Sequence, residues 1–269
     1  MPRGDDGEAW PAGLPPLAHG TPLPGGWVGR TRRGRLVDGR EVVVKQSPHP
    51  ADAEADSLQA LAAAGVPVPG VLGVAAGTLV LEYVTGRPNW AGLGHAVARM
   101  HGTSGPAFGW HRDNCAGRFR QDNGWLDSWG TFYAERRVRT HLSDPTVPAD
   151  LRARLHRACD GPLPRLLPRS TTPALTHGDL WAGNVVDGRW LVDPEVSYAD
   201  RELDLAYMQA SRSLPPRFWA AYQRARPLEP GFAARRPALQ LHHLLLEVRH
   251  FGPQPHRRGV EAVLDHYGW

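Results

Sequence analysis

The segment Thr176–Val186 contains polar residues whose types and spacing are typical of phosphoryl-transfer chemistry. Asp179 and Asn184 are separated by four residues within a glycine-containing loop, and a short apolar run then leads to Asp193. Asp187-Gly188 predicts a tight turn between two short strands. We therefore expect one carboxylate, one amide and a second carboxylate to meet at one end of a hairpin.

Such a set of groups has a definite use in phosphoryl transfer. The first carboxylate accepts the proton of an attacking hydroxyl, while the amide and the second carboxylate hold Mg²⁺ against nucleotide phosphates. Protein kinases carry His-Arg-Asp, four residues and then Asn, and Gly178 here replaces the Arg, as is typical of small-molecule kinases. The alternative is an ordinary surface turn, which the carboxylate after the next strand disfavours. We predict Asp179 as the base, with Asn184 and Asp193 as metal ligands.

A lysine in the first third of the chain supplies the matching positive charge. Val42-Val43-Val44-Lys45 ends a predicted hairpin that begins with a glycine-rich stretch at Pro24 and turns at Asp38-Gly39. A lysine at this strand position in kinases pairs with nucleotide phosphates and with a helix glutamate. The following segment, 51–64, predicts a helix with Glu54 in its first half. Each residue also has a non-catalytic explanation. Lys45 could be a solvated residue at a strand end, and Glu54 could be an acid favoured at a helix N-terminus.

The elements that would position these groups divide into two parts. Strands predicted over 71–74 and 78–81 lead into Glu82-Tyr83-Val84, a connector whose backbone groups would bind adenine, and we place the lobe boundary near Thr85. Beyond it we predict mainly helices, over 90–101, 125–142, 148–167, a segment opening at Asp200, 215–224, 237–251 and 260–266.

The predicted fold class is α+β, a two-lobed protein-kinase-like fold. Its small β-rich N-lobe would span 23–85 and its larger, mostly helical C-lobe 86–269. A proline-rich lead-in, 1–22, would be loosely held. We expect His101, at the end of a helix, to be a structural hydrogen-bonding residue.

Composition excludes several other classes of protein. The chain has 269 residues, of which 41% are hydrophobic and 22% charged, and no apolar run approaches the roughly 20 residues that span a bilayer. The N-terminal segment lacks a signal-peptide core, and the presence of only two cysteines argues against a disulfide framework. The net charge is +4, but the basic clusters lack the interleaved aromatic residues of a nucleic-acid surface. We expect a cytoplasmic protein that binds neither membrane nor nucleic acid.

The loop sequence resembles one family in particular. His177-Gly178-Asp179-Leu180-Trp181-Ala182-Gly183-Asn184 is similar to the corresponding loop of the fructosamine/ketosamine kinases, relatives of aminoglycoside and choline kinases, and Trp181 is its discriminating residue. Asp193-Pro194-Glu195 and the segment 200–206 resemble the family's later motifs. A central block over 108–136 and the segment 244–252 also match, so the resemblance covers most of the chain from Gly25 to Gly252.

The resemblance implies a kinase that uses ATP and Mg²⁺ to phosphorylate a ketosamine, either free or bound to protein. In this family the target is the 3-hydroxyl of fructosamine or ribulosamine adducts, and the unstable product falls apart, which reverses glycation. Carried over by position, Asp179 is the base, Asn184 and Asp193 bind metal, and Lys45 with Glu54 holds phosphate. Trp181 would stack on the sugar.

Three departures from the family pattern affect these expectations. Some members carry a redox-sensitive cysteine in the glycine-rich loop, but 29–34 contains none, so we expect no disulfide-linked dimer and a monomer instead. The proline-rich lead-in replaces the N-terminal helix usual in the family. Glu247 lies where relatives often carry His, which would alter substrate preference if that position faces the pocket.

Two other functions stay open. A kinase of the same fold acting on an aminoglycoside or another amino-sugar would share every catalytic residue. A catalytically silent nucleotide-binding module is disfavoured because Lys45, Asp179, Asn184 and Asp193 are all present. The sequence leaves the amine half of the substrate undetermined.

Overall fold

The first part of the chain forms a single antiparallel sheet with one helix. The structure, a computed structural model, describes residues 9–24, 28–167, 171–210 and 214–269. The sheet has the order β1-β2-β3-β5-β4. Its strands, and the helix α1 that lies between β3 and β4 in the chain, are β1 (Leu17–Pro22), β2 (Arg30–Leu36), β3 (Glu41–Gln46), α1 (Ala51–Ala63), β4 (Val71–Ala75) and β5 (Thr78–Glu82).

Alternation along β3 divides its side chains between the two faces of this sheet. Val42 and Val44 are fully buried on one face, in a cluster with Trp10. Val43 lies on the other face with the residues of α1, and Lys45 shares that face because successive side chains of a strand alternate. The strand therefore directs its lysine to the side of the sheet where α1 carries Glu54.

The expectation of a loosely held lead-in is wrong for residues 9–22. Trp10 is buried against the sheet and its indole N–H donates to the carbonyls of Leu14 and Pro15, each at 3.2 Å. Strand β1 pairs with β2 and adds an edge strand. Strand β1 could not be predicted because its side chains are mostly exposed and lack apolar alternation.

The predicted hairpin with a turn at Asp38-Gly39 is present as β2 and β3. A second hairpin, formed by β1 and β2, was not predicted. Strand β1 ends at Pro22 and β2 begins at Arg30, and residues 25–27 of the glycine-rich stretch lie outside the described residues. The helix predicted over 51–64 and the two strands before the connector are also confirmed.

The second part of the chain is mainly helical. Its helices are α2 (Trp90–Met100), α3 (Trp129–Phe132), α4 (Ala149–Cys159), α5 (Pro162–Leu166), α6 (Glu202–Ala210), α7 (Pro216–Ala225), α8 (Phe232–Leu239), α9 (Leu241–Phe251) and α10 (Arg257–Tyr267). Its short strands are β6 (Asn114–Ala116), β7 (Phe119–Gln121), β8 (Ala174–Thr176), β9 (Val185–Val186), β10 (Trp190–Leu191) and β11 (Ser197–Ala199). No helix of the described ranges is long and apolar enough to cross a membrane.

Three predicted helix bounds are corrected by the structure. The helix expected from 125 begins at Trp129, where Ser128 caps it by accepting from the Thr131 N–H, and continues as a π-helix and a 3₁₀ turn to His141. The helix expected over 148–167 is divided into α4 and α5. Pro162 begins α5, since proline is favoured at the first position of a helix, where its missing N–H is not needed. The helix expected over 237–251 is two helices, α8 and α9.

The two-lobed fold predicted from the sequence is confirmed. The sheet ends at Glu82 and α2 begins at Trp90, and a single large hydrophobic core joins the helices of the second part. Most of the central aromatic residues, including Phe108, Trp129 and Phe132, belong to that core, whereas Trp125 is 42% exposed. The placing of the domain boundary near Thr85 stays a prediction.

Candidate active site

The loop that contains Asp179 runs between two paired elements. It leaves β8, which pairs with β11, and ends in the β9–β10 hairpin. Asp187 and Gly188, between β9 and β10, both have positive φ angles, 51° and 61°, and the Arg189 N–H donates to the Val186 carbonyl at 3.1 Å, which closes a tight turn around these two residues. The predicted order of loop, strand, turn, strand and acid is therefore the one that the structure has.

A buried carboxylate that sequence reasoning did not single out anchors the loop. Asp204 in α6 accepts the backbone N–H groups of His177 at 2.8 Å and Gly178 at 3.0 Å. Its Oδ2 also lies 3.1 Å from His101 Nε2. His101 is thus a buried hydrogen-bonding residue, as expected. Burial favours the protonated form of Asp204, but the hydrogen bonds from His101 and the backbone outweigh it and lower the pKa.

Asp179 and Asn184 are in direct contact, as their spacing suggested. The Asn184 side-chain amide donates to Asp179 Oδ2 at 2.7 Å and to the Asp179 backbone carbonyl at 2.8 Å. Burial outweighs the hydrogen bond from Asn184 and raises the pKa of Asp179 to about 6. A carboxyl with such a pKa is ionised at neutral pH and is a stronger base than an exposed aspartate.

Lys45 joins the two lobes through a pair of carboxylates. Its Nζ lies 2.5 Å from Glu54 Oε1 and 2.6 Å from Asp193 Oδ1. Burial opposes the charge on Lys45, but the carboxylates of Glu54 and then Asp193 outweigh burial and raise its pKa. The lysine therefore stays protonated, and the structure brings together three residues that the sequence had placed at one site.

The arrangement of Asn184 and Asp193 fits a nucleotide-bound Mg²⁺. The Val192 N–H donates to the Asn184 carbonyl at 3.1 Å, which places Asp193, the next residue, beside Asn184. The described parts of the chain contain no group of three His, Cys, Asp or Glu side chains that could hold a metal. Mg²⁺ held between phosphates needs only one or two protein ligands, since phosphate oxygens and waters complete its octahedron.

Two backbone groups of the connector after β5 are already hydrogen-bonded, and the first is the Glu82 N–H, which donates to the Gly70 carbonyl at 2.8 Å. The Tyr83 N–H donates to the Glu41 carbonyl at 3.2 Å. Val84 is buried and Glu82 is exposed. The Arg33 guanidinium lies 3.9 Å from the centroid of the Tyr83 ring and donates to Glu41. Whether Glu82, Tyr83 and Val84 bind adenine stays a prediction.

Glu195 contacts the loop, and sequence reasoning gave it no role in the site. The Glu195 N–H donates to the His177 carbonyl at 2.8 Å, and its carboxylate accepts from the Gly117 N–H and the Gln121 amide, each at 3.1 Å. Burial and the nearby Asp179 carboxylate raise the pKa of Glu195. The backbone of Glu195 lies against Gly178, where a Cβ atom would clash with it, so Gly178 has a steric reason for lacking a side chain.

Trp181 and Glu247 lie in less enclosed positions. Trp181 is half-buried and its ring lies over Gly183, where an added Cβ would overlap it. The Glu247 carboxylate lies 3.4 Å from His256 Nδ1 and is close enough to act electrostatically on Tyr207. Glu247 thus lies on the Asp179 side of the molecule, though its effect on substrate preference stays a prediction.

Comparison with known proteins agrees with this geometry. A sequence model described as fructosamine kinase matches residues 26–267. The chain belongs to the fructosamine kinase family. A protein named probable ketoamine kinase YniA, from Escherichia coli strain K12, is 36% identical over 215 residues, which cover 75% of each chain. A probable ketoamine kinase from Enterococcus faecium is 32% identical over 91% of this chain and 94% of its own length.

Solved structures place the fold in the same family. The crystal structure of a putative fructosamine-3-kinase from Thermobifida fusca is 31% identical, with a TM-score of 0.84 over 96% of this chain and 95% of its own. A macrolide 2′-phosphotransferase from Brachybacterium faecium, 19% identical with a TM-score of 0.56 over 94% of each chain, shares the fold. Family membership makes the chain a kinase with ATP as its phosphoryl donor.

Proposed function

We propose that this kinase phosphorylates the sugar 3-hydroxyl of ketosamines, small or protein-bound, and so acts in the removal of sugar adducts from amines. Membership of the fructosamine kinase family supports the class of acceptor, and Trp181 in the loop supports a sugar. The kinase would act as a cytoplasmic monomer that binds no nucleic acid. The phosphotransferases of aminoglycosides and macrolides resemble it only in fold.

In this proposal the lobes divide the work between nucleotide and acceptor. Lys45, held by Glu54, orients the ATP phosphates, and backbone groups of 82–84 bind adenine. Asn184 and Asp193 would hold Mg²⁺, which supplies charge neutralisation on the phosphates when bound. Trp181 stacks on the sugar of the acceptor.

Asp179 acts on the acceptor hydroxyl. Its carboxylate accepts the hydrogen bond of that hydroxyl and aligns the oxygen for in-line attack on the terminal phosphoryl group. As the O–P bond forms and the bond to the leaving diphosphate breaks, the hydroxyl proton passes to Asp179. Most of the rate comes from positioning and charge stabilisation, since the protein forms no covalent intermediate.

One observation carries the proposal. Lys45 Nζ contacts both Glu54 and Asp193, although Lys45 and Asp193 are 148 residues apart in the chain. The lysine proposed to bind phosphate and the carboxylate proposed to bind metal are thus in direct contact. A protein without nucleotide chemistry has no evident need for three interacting charged side chains at this position.

The test is a panel of acceptors assayed for ATP consumption. Fructosamines, ribulosamines, erythrulosamines and aminoglycosides are each incubated with ATP, with and without Mg²⁺, and the phosphorylated position is read by NMR. We expect Mg²⁺-dependent transfer to the ketosamine 3-hydroxyl. Transfer only to aminoglycosides, or at another hydroxyl, would contradict the proposal.

A further inference from the structure

The helix α1, which carries Glu54, is held by a segment of the large lobe that the mechanism above does not use. The segment is Trp110-His111-Arg112, and its side chains contact the two acids Asp52 and Asp56. These acids are four residues apart, so they lie on one face of α1. At 3.6 residues per turn, Glu54 lies roughly 200° around the helix from Asp52. The helix therefore contacts Lys45 on one flank and the large lobe on another.

The contact of Trp110 is the strongest of these. Its indole N–H donates to Asp56 Oδ2 at 2.7 Å, and a hydrogen bond to an ionised acceptor is stronger than one between neutral groups. Trp110 is buried, so water competes little for this N–H. The other oxygen of Asp56 lies 3.0 Å from Nε2 of the exposed His111 ring. Arg112 pairs with Asp52 at 2.7 Å, but the Asp52 carboxylate is 57% exposed, and exposed ion pairs contribute little.

Trp110 is itself fixed to the strand pair from which the loop of Asp179 leaves. Gly109, the residue before it, exchanges two backbone hydrogen bonds with Tyr198 of β11, at 2.9 Å and 2.8 Å. The Trp110 N–H donates to the Asn123 carbonyl at 3.0 Å, and its ring lies against the Tyr198 ring, with centroids 5.2 Å apart. Strand β11 pairs with β8, which leads into the loop. A short path of hydrogen bonds thus joins α1 to the strands that position the proposed base.

The first half of α1, where Glu54 lies, has few other contacts that could fix its orientation. Pro50 at its N-cap has no side-chain acceptor for the free N–H groups of the first turn. Its contacts to the cluster on this face of the sheet come from Ala51 and Ala55, and an alanine side chain makes few van der Waals contacts. The larger apolar residues, Leu58 and Leu61, follow in the second half. Polar contacts therefore carry much of the orientation of Glu54.

We propose that Trp110 is a positioning residue that fixes α1 through Asp56 and so keeps Glu54 in contact with Lys45. The proposal rests on the function proposed above, in that Lys45 orients the ATP phosphates. Without the contact to Asp56, the first half of α1 can rotate about its axis, and that rotation moves Glu54. The lysine then spends less time aligned with the phosphates, and small errors of alignment have large effects. Trp110 therefore acts on the use of nucleotide and not on the acceptor.

The test measures affinity for the ATP analogue AMP-PNP with Mg²⁺ by titration calorimetry, which needs no acceptor. Trp110→Phe keeps a ring beside Tyr198 and removes the N–H. Asp56→Ala removes the acceptor of that N–H at a partly exposed position, where alanine favours the helix. We expect each variant to bind AMP-PNP about 3-fold to 10-fold more weakly, a smaller loss than removal of the Lys45 charge itself would cause. In a Glu54→Gln background, Asp56→Ala should weaken binding no further, because the contact acts through Glu54.

Trp129→Phe and Asp52→Ala are the matched controls. Trp129 is also buried, and among the described residues nothing accepts a hydrogen bond from its indole N–H, so the same truncation there removes no contact to α1. Asp52→Ala removes an acid from the same face of α1, but one whose ion pair is exposed. Both controls should bind AMP-PNP as the unmodified protein does.

Three results would overturn the proposal. The first is unchanged AMP-PNP affinity in Asp56→Ala, which decides the matter alone if Trp110→Phe does not fold. The second is an equal loss in either control, which would indicate general destabilisation or the net charge of α1. The third is a further loss in the Glu54→Gln background, which would show that the contact does not act through Glu54.

The outcome is separable from that of the proposed function. The acceptor takes no part in AMP-PNP binding, so a kinase that phosphorylates something other than a ketosamine leaves this test unaffected. Lys45→Met is measured in the same titration. If Lys45→Met binds AMP-PNP normally, the proposed role of the lysine fails and the role of Trp110 fails with it. If Lys45→Met binds weakly and Asp56→Ala binds normally, the role of Trp110 alone fails.

Discussion

The two lobes hold their parts of the site in different ways. In the small lobe, Lys45 is held by charge, through Glu54 in the same lobe and Asp193 in the other. In the large lobe the loop is held mainly by hydrogen bonds of buried groups. Its backbone N–H donates to Asp204, the Gly178 carbonyl accepts from His243, and the Asp179 carboxylate accepts from the Asn184 amide. The small lobe has two modest apolar clusters, whereas the large lobe has one extensive core.

This difference indicates how each half tolerates change. A charge pair that bridges two lobes is adjustable, since an incoming phosphate can take over one of the contacts of Lys45. A loop fixed by buried hydrogen bonds cannot move without leaving polar groups unsatisfied, which costs about 1–3 kcal/mol for each group. We therefore expect Asp179 to be held rigidly and Lys45 to change its contacts when a nucleotide binds.

The largest effect should come from the large lobe, on chemistry alone. Asp179→Ala removes the carboxylate proposed to receive the acceptor proton, and we expect turnover to fall by about 10⁴-fold, the upper range for general base catalysis. ATP affinity should be unchanged, as measured by titration calorimetry. Near-normal transfer in this variant would show that Asp179 is not the base. The rigid loop of the large lobe would then have no catalytic role.

The second effect tests the small lobe as a folded unit. Trp10→Ala leaves a cavity under the outer face of the sheet, and we expect a loss of about 3–5 kcal/mol in the free energy of unfolding, measured by urea titration. Val37→Ala is the control in the same lobe. Val37 is 63% exposed, and its truncation should change stability by less than about 0.5 kcal/mol. Equal stability of the two variants would mean that the lead-in contributes nothing to the lobe.

Lys45 should give a smaller change, confined to the use of nucleotide. Lys45→Met keeps the side-chain length and removes the charge that orients phosphates, so we expect kcat/KM for ATP to fall about 100-fold. Steady-state kinetics at saturating acceptor measure it. If kcat/KM fell for the acceptor alone and stayed unchanged for ATP, the lysine would lie outside the nucleotide site.

The smallest effect concerns pH and the buried histidines of the large lobe. Burial lowers the pKa of His141 to about 3 and that of His243 to about 4, both below the unfolded value of about 6.5. Below pH 6.5 the unfolded chain binds protons that the folded chain does not. Each histidine therefore contributes stability that is complete above pH 6.5 and is lost as pH falls toward 4.

We expect up to about 1.4 kcal/mol of lost stability for each histidine and each pH unit below 6.5. Unfolding by urea at pH 7.0 and 5.5 measures it, and His141→Gln should make the loss smaller. If the free energy of unfolding were the same at both pH values, the pKa values of these histidines would not be lowered in the folded protein.

Much of the site could be predicted from local sequence. The spacing of Asp179, Asn184 and Asp193 is fixed by one loop and one hairpin, and the turn at Asp187-Gly188 follows from residue types alone. Lys45 at the end of an apolar strand was predicted in the same way. These inferences succeed because backbone geometry over about 20 residues is set by turn chemistry and alternation.

Tertiary structure alone decided the rest. Asp204 and His243 approach the loop from helices far along the chain, and no local pattern relates a helix face to a distant carboxylate. The burial of Trp10 likewise depends on a sheet face made by strands that follow it. Residue types and short-range spacing determined which chemistry this chain carries. Long-range packing determined which neighbours hold that chemistry in place, because a buried polar group is satisfied only by whatever the fold brings within hydrogen-bonding distance.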